Sequence, residues 1–190
     1  MTMTRAEPMT VPSIASAHFA ASNAIAETFF GSQADAIARA CQSMAVRFQG
    51  GGRLLVWGEG AQRSDVAHVV VEFLHPVVVG KRALPAIALA GDSGRDAAAH
   101  FEIFARAEDL LLVLCAGALD ARLSGLVGAA AMRGVLTIVL CADGETPRDA
   151  DHAFAVPSRD ACIVQETHEM LYHILWELTH VFLDHRGAET

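Results

Sequence analysis

The stretch Arg53-Leu-Leu-Val-Trp-Gly58-Glu-Gly-Ala-Gln62-Arg-Ser-Asp-Val-Ala-His68-Val-Val-Val-Glu72-Phe73 decides the fold. Residues 53–57, Arg53 and four apolar residues, make a run too short for a helix and the right length for a buried strand. Gly58 and Gly60 then turn the chain. Val66, Val69, Val70 and Phe73 recur at helical spacing until Pro76 closes the segment. The result is a strand, a tight glycine turn and a helix, the first half of a parallel crossover unit.

Working outward, the pattern repeats. Residues 84–90 read as a second strand, 96–107 as a helix, 110–115 as a third strand and 121–132 as a helix. Strands follow at 135–141 and 152–156, with a turn at Asp143-Gly144 between them, and a last helix runs from 160 to about 183. Pro85 near a strand start is tolerable, because its missing donor falls at the end of the ladder. Toward the N-terminus, Ile14, Phe19, Ile25 and Phe29 predict a helix over 13–30. Ser32 is a candidate cap for a second helix carrying Ile37, Cys41, Met44 and Phe48, stopped by Gly50, Gly51 and Gly52. The expectation is a single α/β domain over 13–185: a three-layer α/β/α sandwich with a five-stranded parallel sheet and two N-terminal helices. Residues 1–12, with Pro8 and Pro12, and residues 186–190 read as tails.

At 190 residues the chain supports one sizeable core. A net charge of -8 and the absence of a basic run argue against nucleic acid as a partner. The apolar runs are interrupted too often to span a bilayer, and residues 1–5 lead into no signal-type apolar core. Cys41, Cys115, Cys141 and Cys162 form no close-spaced metal motif, which fits reduced thiols and a cytoplasmic setting.

Ligands of parallel sheets gather at the carboxyl ends of the strands, here the segments 58–62, 90–93 and 115–120 and the start of the last helix. The Gly58-x-Gly60 turn invites a dinucleotide, but the third glycine of that fingerprint falls on Arg63, and the Glu59 carboxylate repels phosphate. No Walker sequence and no Gly-x-Ser-x-Gly elbow occurs. His68 and Glu72, four apart, share one helix face. A simple ion pair is the commoner meaning of such a pair, but the flanking valines bury this helix, where an unpaired carboxylate is costly. The last helix adds Gln165, Glu166, His168, Glu169, His173, Glu177 and His180. Gln165 and His173 fall within a quadrant of one face. His173 and His180 also share a face, and several metal pairings are open. Imidazole, carboxylate and amide oxygen suit zinc or another first-row divalent ion; core histidines and helix ion pairs are the bland alternative.

The segments Gly58-Glu-Gly-Ala-Gln-Arg-Ser-Asp-Val-Ala-His68, Val71-Glu-Phe73, Leu84-Pro-Ala-Ile-Ala-Leu89, Val164-Gln-Glu-Thr-His168 and His173-Ile-Leu175 resemble the sugar-isomerase (SIS) superfamily. Within it they are most similar to phosphoheptose isomerases, over nearly the whole chain. The resemblance implies a metal quartet of His68, Glu72, Gln165 and His173. Zinc is the expected ion, with nickel or manganese as alternatives, and Glu72 and His173 are the expected catalytic residues. It also implies a homotetramer, or at least a homodimer, with sites at subunit interfaces. The family's phosphate loops are altered. Gly-Asn-Gly-Gly-Ser becomes Gly58-Glu-Gly-Ala-Gln62, and Ser-Thr-Ser-Gly-Asn-Ser becomes Cys115-Ala-Gly-Ala-Leu-Asp120. Alanine and leucine cannot donate to a phosphate, and Asp120 repels it. The ligand-binding candidates are thus Gly58, Glu59, Gln62, Asp92, Cys115, Asp120 and Gln165. The expected function is metal-dependent isomerisation of a sugar or related α-hydroxycarbonyl compound without the usual phosphate grip. The alternative is a noncatalytic SIS-domain regulator, ligand sensor or assembly protein.

Overall fold

A computed structural model describes residues 11–76, 78–91, 93–117, 121–144 and 146–187. The elements in chain order are α1 (Val11–Gln49), β1 (Leu54–Gly58), α2 (Gln62–Leu74), β2 (Ala86–Ala88), α3 (Gly94–Phe104), β3 (Leu110–Leu114), α4 (Ala121–Met132), β4 (Leu136–Ala142), β5 (His152–Val156) and α5 (Ala161–Gly187). The five strands form one parallel sheet in the order β2-β1-β3-β4-β5. The chain reverses its direction of travel across the sheet between β1 and β3. This switch point sets the ends of those two strands, at Gly58 and Leu114, side by side.

Strand alternation sorts the core into two layers. Leu54, Val56, Leu110 and Leu112 face α1, α2 and α5, where they pack with Met44, Phe48, Phe73, Tyr172 and Leu175. Leu55, Trp57, Leu111 and Val113 face α3 and α4, against Phe101, Leu123 and Val127. The three-layer sandwich is the expected one.

The N-terminal arrangement differs from expectation. A single helix of 39 residues replaces the two foreseen over 13–30 and from Ser32. Ser32 does not cap; its hydroxyl donates back to the Phe29 carbonyl at 3.0 Å. A mid-helix Gly31 costs about 1 kcal/mol relative to alanine. The burial of Phe29, Ile37, Cys41, Met44, Ala45 and Phe48 along the continuous helix outweighs that. Pro12 does not prevent regular structure either, because it stands in the first turn, where no backbone donor is needed. At 1.5 Å per residue α1 is about 58 Å long. Its C-terminal half packs on the sheet and α5. Its N-terminal half leaves Val11, Ile14 and Phe19 80%, 49% and 68% exposed.

The lower edge of the sheet is pinned by Asp109, which is 1% exposed. Its carboxylate accepts from Arg53 Nε at 3.2 Å and Nη2 at 2.7 Å, and from the backbone amides of Arg53 and Arg106 at 2.9 and 3.0 Å. Burial raises the carboxyl's pKa, but these bonds together outweigh burial and hold it below the ordinary carboxylate value. Among the described residues no helix is long and apolar enough to cross a membrane.

Candidate active site and metal centre

Gly58 sets the start of the site. A Cβ there would lie 2.9 Å from the Gln62 Cβ and 3.0 Å from Val66 Cγ2, so only glycine lets α2 begin hard against the end of β1. From this start α2 presents Asp65, His68 and Glu72 at i, i+3 and i+7, one helix face. Opposite it, α5 presents Gln165, Glu169, Tyr172 and His173.

Three polar atoms converge. His68 Nε2 is 3.5 Å from Glu72 Oε1, His173 Nε2 is 3.8 Å from the same oxygen, and the two imidazole Nε2 atoms are 3.5 Å apart. Ligand bonds of 2.0–2.1 Å in a tetrahedron require ligand–ligand separations of about 3.4 Å, so this triangle is close to one face of a tetrahedral zinc site. Glu169 stands on the other side of the His68 ring, 3.8 Å from Nδ1, and His68, Glu169 and His173 also offer ligand atoms within 4.8 Å of one another. The donor set of two imidazoles and two carboxylates fits a first-row divalent ion.

Behind this triangle lies a buried polar layer. Asp65, 6% exposed, accepts from the Gln165 amide at 3.1 Å on one oxygen and from the Gln62 amide at 3.4 Å on the other. Burial raises its pKa above the usual carboxylate value. The Glu169 charge adds to this, while the amide bonds and His68 offset part of it. Because the Gln165 nitrogen is engaged by Asp65, its carbonyl oxygen is the atom left to serve the site. Tyr172, 1% exposed, places its hydroxyl 3.0 Å from His68 Nδ1. Burial, then the charges of Glu169, Asp65 and Glu72, push its phenol upward, so it stays protonated.

The structure therefore brings His68, Glu72 and His173 together, and seats Gln165 behind them on Asp65. Gln62 is 1% exposed and turned onto Asp65, away from solvent. Glu59 is exposed in the turn after Gly58. Cys115 is buried at the end of β3, its thiol donating to the Gly117 carbonyl at 3.1 Å. Asp92 and Asp120 lie outside the described residues. His168 is elsewhere: fully buried, it contacts the Cys141 carbonyl at 3.3 Å, and burial lowers its pKa to about 4, which keeps the ring neutral. His180 sits between the carbonyls of Trp176 and Arg82, at 2.9 and 3.0 Å.

Asp65 and Tyr172 were not singled out from the sequence, and Glu169 was named among the polar residues of the last helix but not placed in the quartet. Asp65 carries a usable signal, a carboxylate three residues before His68 and flanking the buried Val66. Glu169 lies four before His173, and Tyr172 adjoins it.

Two concavities meet at His173. One of about 800 Å³ runs between α1 and α5, lined among others by Ile14, His18, Phe19, Glu166 and Glu169. The other, about 450 Å³, is bounded by Glu72, Lys81, Trp176 and Val181. Glu166 is fixed by the Ser22 hydroxyl at 2.5 Å and His18 at 3.1 Å, bonds that lower its pKa.

No protein-family model matches the chain. Curated relatives do. The phosphoheptose isomerase of Thermodesulfovibrio yellowstonii is 30% identical over 168 residues, which cover 81% of this chain and 84% of that protein. That of Pelobacter propionicus is 32% identical over 145 residues, covering 69% and 77%. Among solved structures, a phosphoheptose isomerase from Francisella tularensis superposes with a TM-score of 0.81 at 23% identity, over 90% of this chain and 99% of that one. The Neisseria gonorrhoeae enzyme gives 0.79 at 22% identity, over 90% and 98%. The fold is thus the SIS fold. With relatives at this identity spanning most of both chains, the protein belongs to the phosphoheptose isomerase family, a family of aldose–ketose isomerases acting on sugar phosphates.

Proposed function

We propose that this protein is a metal-dependent aldose–ketose isomerase whose substrate is a sugar or a related α-hydroxycarbonyl compound, held without the family's hydroxyl-lined phosphate cradle. The observation that carries this is the convergence of Glu72, His68 and His173 at tetrahedral-edge distances beside two solvent-connected concavities. His68, Glu72 or Glu169, His173 and the Gln165 carbonyl oxygen would hold a divalent ion, zinc first and nickel or manganese as alternatives. When bound, that ion polarises the carbonyl and hydroxyl oxygens of the substrate.

The chain's own groups supply the proton transfers. Glu72 removes the proton from the carbon next to the carbonyl and returns it to the former carbonyl carbon. His173 moves the matching proton from the hydroxyl oxygen to the carbonyl oxygen only while its Nε2 is not bound to the ion, so a cis-enediol forms and collapses with no net gain or loss of protons. Glu169, 3.8 Å from His68 Nδ1, is the nearest second carboxylate and would have to swing to the Nε2 side of the ring to replace Glu72 as a ligand while Glu72 acts as base.

Substrate recognition without a phosphate grip is supported by Gln62, whose side chain is turned inward onto Asp65 at the position where the resemblance places a serine. The exposed apolar flank of α1 beside the site supports assembly into a homotetramer, or at least a homodimer, that completes the pocket.

The test is transition metal per subunit in natively purified protein, beside His173→Ala, followed by isomerisation of phosphorylated and unphosphorylated aldoses. Near-stoichiometric metal that falls in the variant, with solvent deuterium entering product and loss of about 10²–10⁴-fold in rate for Glu72→Gln, is expected. Protein that takes up no zinc, nickel or manganese overturns the metal-dependent mechanism. A noncatalytic, ligand-sensing role then becomes the better account of the altered loops.

A further inference from the structure

Tyr172 is the sole tyrosine of the chain, and none of the proton transfers above uses it. Its ring packs at a steep angle against both site histidines, with centroids 5.4 Å from His68 and 5.0 Å from His173, and the three rings close a triangle. Its hydroxyl therefore has little freedom other than rotation about its own C–O bond, and it lies 3.0 Å from His68 Nδ1. The opposite nitrogen, Nε2, faces Glu72 Oε1 and His173 Nε2, each at 3.5 Å. A neutral imidazole carries one proton, on one nitrogen or the other, so whatever bonds Nδ1 decides what Nε2 offers.

We infer that Tyr172 is a positioning residue that sets which nitrogen of His68 carries the proton. When the hydroxyl donates to Nδ1, the proton of His68 is on Nε2 and points at Glu72. When the hydroxyl accepts from Nδ1–H, Nε2 presents a bare lone pair to the space between Glu72 and His173. The first arrangement belongs to the metal-free protein and the second to the loaded one. In passing between them one proton leaves Nε2 for solvent and one arrives at Nδ1 from solvent. The ring stays neutral, and the phenol keeps its own proton and only rotates from donor to acceptor. A hydroxyl is required for this, since it alone both donates and accepts through one atom; phenylalanine in the same place does neither. The inference rests on the metal-dependent reading for its second arrangement and stands on geometry for its first.

The experiment uses the full chain, with imidazole ¹⁵N shifts of His68 and the ¹³Cζ shift of tyrosine, which comes from Tyr172 alone. Zinc affinity is measured by chelator competition. In the wild type His68 is expected as the Nε2–H tautomer without metal and as Nδ1–H with zinc, with the single tyrosine resonance moving on loading. Tyr172→Phe keeps the ring and removes the hydroxyl. It should give a mixture of tautomers without metal and zinc binding weaker by about 10–100-fold. Should that variant unfold, 3-fluorotyrosine at this one position keeps the hydroxyl and alters its donor strength, and the His68 Nδ1 shift should follow. Unchanged tautomer populations in Tyr172→Phe, or an unmoved Nδ1 shift with 3-fluorotyrosine, overturn the inference even where zinc binds. A wild type that binds no zinc overturns the metal-dependent reading instead, and the metal-free tautomer comparison still decides the role of Tyr172.

Discussion

Removing the Asp65 side chain tests whether the buried amide–carboxylate layer orients the site. In Asp65→Ala two amide groups lose their acceptor. Gln62, at 1% exposure, has no access to water, and an unsatisfied buried donor costs about 1–3 kcal/mol. Gln165 is only part-buried, so water takes over most of its 3.1 Å bond and the loss there is about 0.5–1 kcal/mol. Relief from burying a carboxylate offsets part of the sum, leaving about 2 kcal/mol, or a melting temperature lower by about 4–8 °C for a domain of this size. The functional consequence is larger in proportion. With its nitrogen no longer held, the Gln165 amide can turn and present N–H where an oxygen is needed, which should weaken zinc binding by about 10–100-fold. Asp65→Asn is the control. Its single oxygen can still accept from Gln165, the shorter of the two contacts, and Gln62 can turn its own oxygen to the new amide. Stability should then stay within about 1 kcal/mol and zinc affinity within a few-fold. Thermal melts and chelator competition on the three proteins read both quantities. Asparagine as damaging as alanine to zinc affinity would refute the orientation argument, because the carboxylate charge would then be what matters.

Two further outcomes follow from the fold. Asp109→Ala leaves two backbone amides without their acceptor and the Arg53 guanidinium with only the Phe104 carbonyl, and should destabilise the domain by about 3 kcal/mol in urea titrations. Because the folded Asp109 pKa is depressed, its contribution should be complete above the unfolded carboxylate value near 3.9 and fade as pH falls through the folded one; a variant deficit that grows toward acid contradicts this. Phe19→Glu, on the exposed flank of α1, should reduce the assembly seen by light scattering while leaving the melting of the single domain nearly unchanged, and a wild type already monomeric at micromolar concentration would remove the intersubunit version of the pocket.

How much of this was legible in the sequence varies by element, for identifiable reasons. The helix Ala121–Met132 and the strand His152–Val156 have the bounds that periodicity and turn residues predict, and β1 and β4 are displaced by a single residue. The segment 84–90 reads as a seven-residue strand but pairs only from Ala86 to Ala88, since β2 is an edge strand whose sole partner among the described residues is β1. The helix over 96–107 starts earlier, at Gly94, because Ser93 accepts from the Asp96 amide and caps it. The split of α1 was read from Ser32 as a cap, a local signal that packing along the whole helix overrides. At the site, spacing puts His68 with Glu72 on one helix face and Gln165 near His173 on another but leaves several pairings open, and it is the family resemblance that selects the quartet. Spacing cannot say which further residues meet across helices. Glu169 and Tyr172 join the group only because α5 turns that face to α2, a tertiary fact that no single-helix pattern contains.

Gln62 shows how a change that looks like a loss in sequence can be a gain in structure. At the position where the resemblance places a phosphate-holding serine, a serine would present a short hydroxyl to ligand at the start of α2. Glutamine is longer, and in this fold its amide reaches back to Asp65, the residue one turn on, which is also the acceptor for Gln165. Asp65 thus has both oxygens occupied, and the carboxylate is more firmly held in place than a single amide could hold it. Reverting Gln62→Ser separates the two roles. It should free one oxygen of Asp65 and loosen Gln165, weakening zinc binding by a few-fold, while restoring a hydroxyl at the mouth of the site. If zinc affinity is unchanged and a sugar phosphate binds more tightly than to the wild type, position 62 governs substrate recognition alone. If zinc affinity falls and phosphate gains nothing, the glutamine belongs to the layer that supports the site.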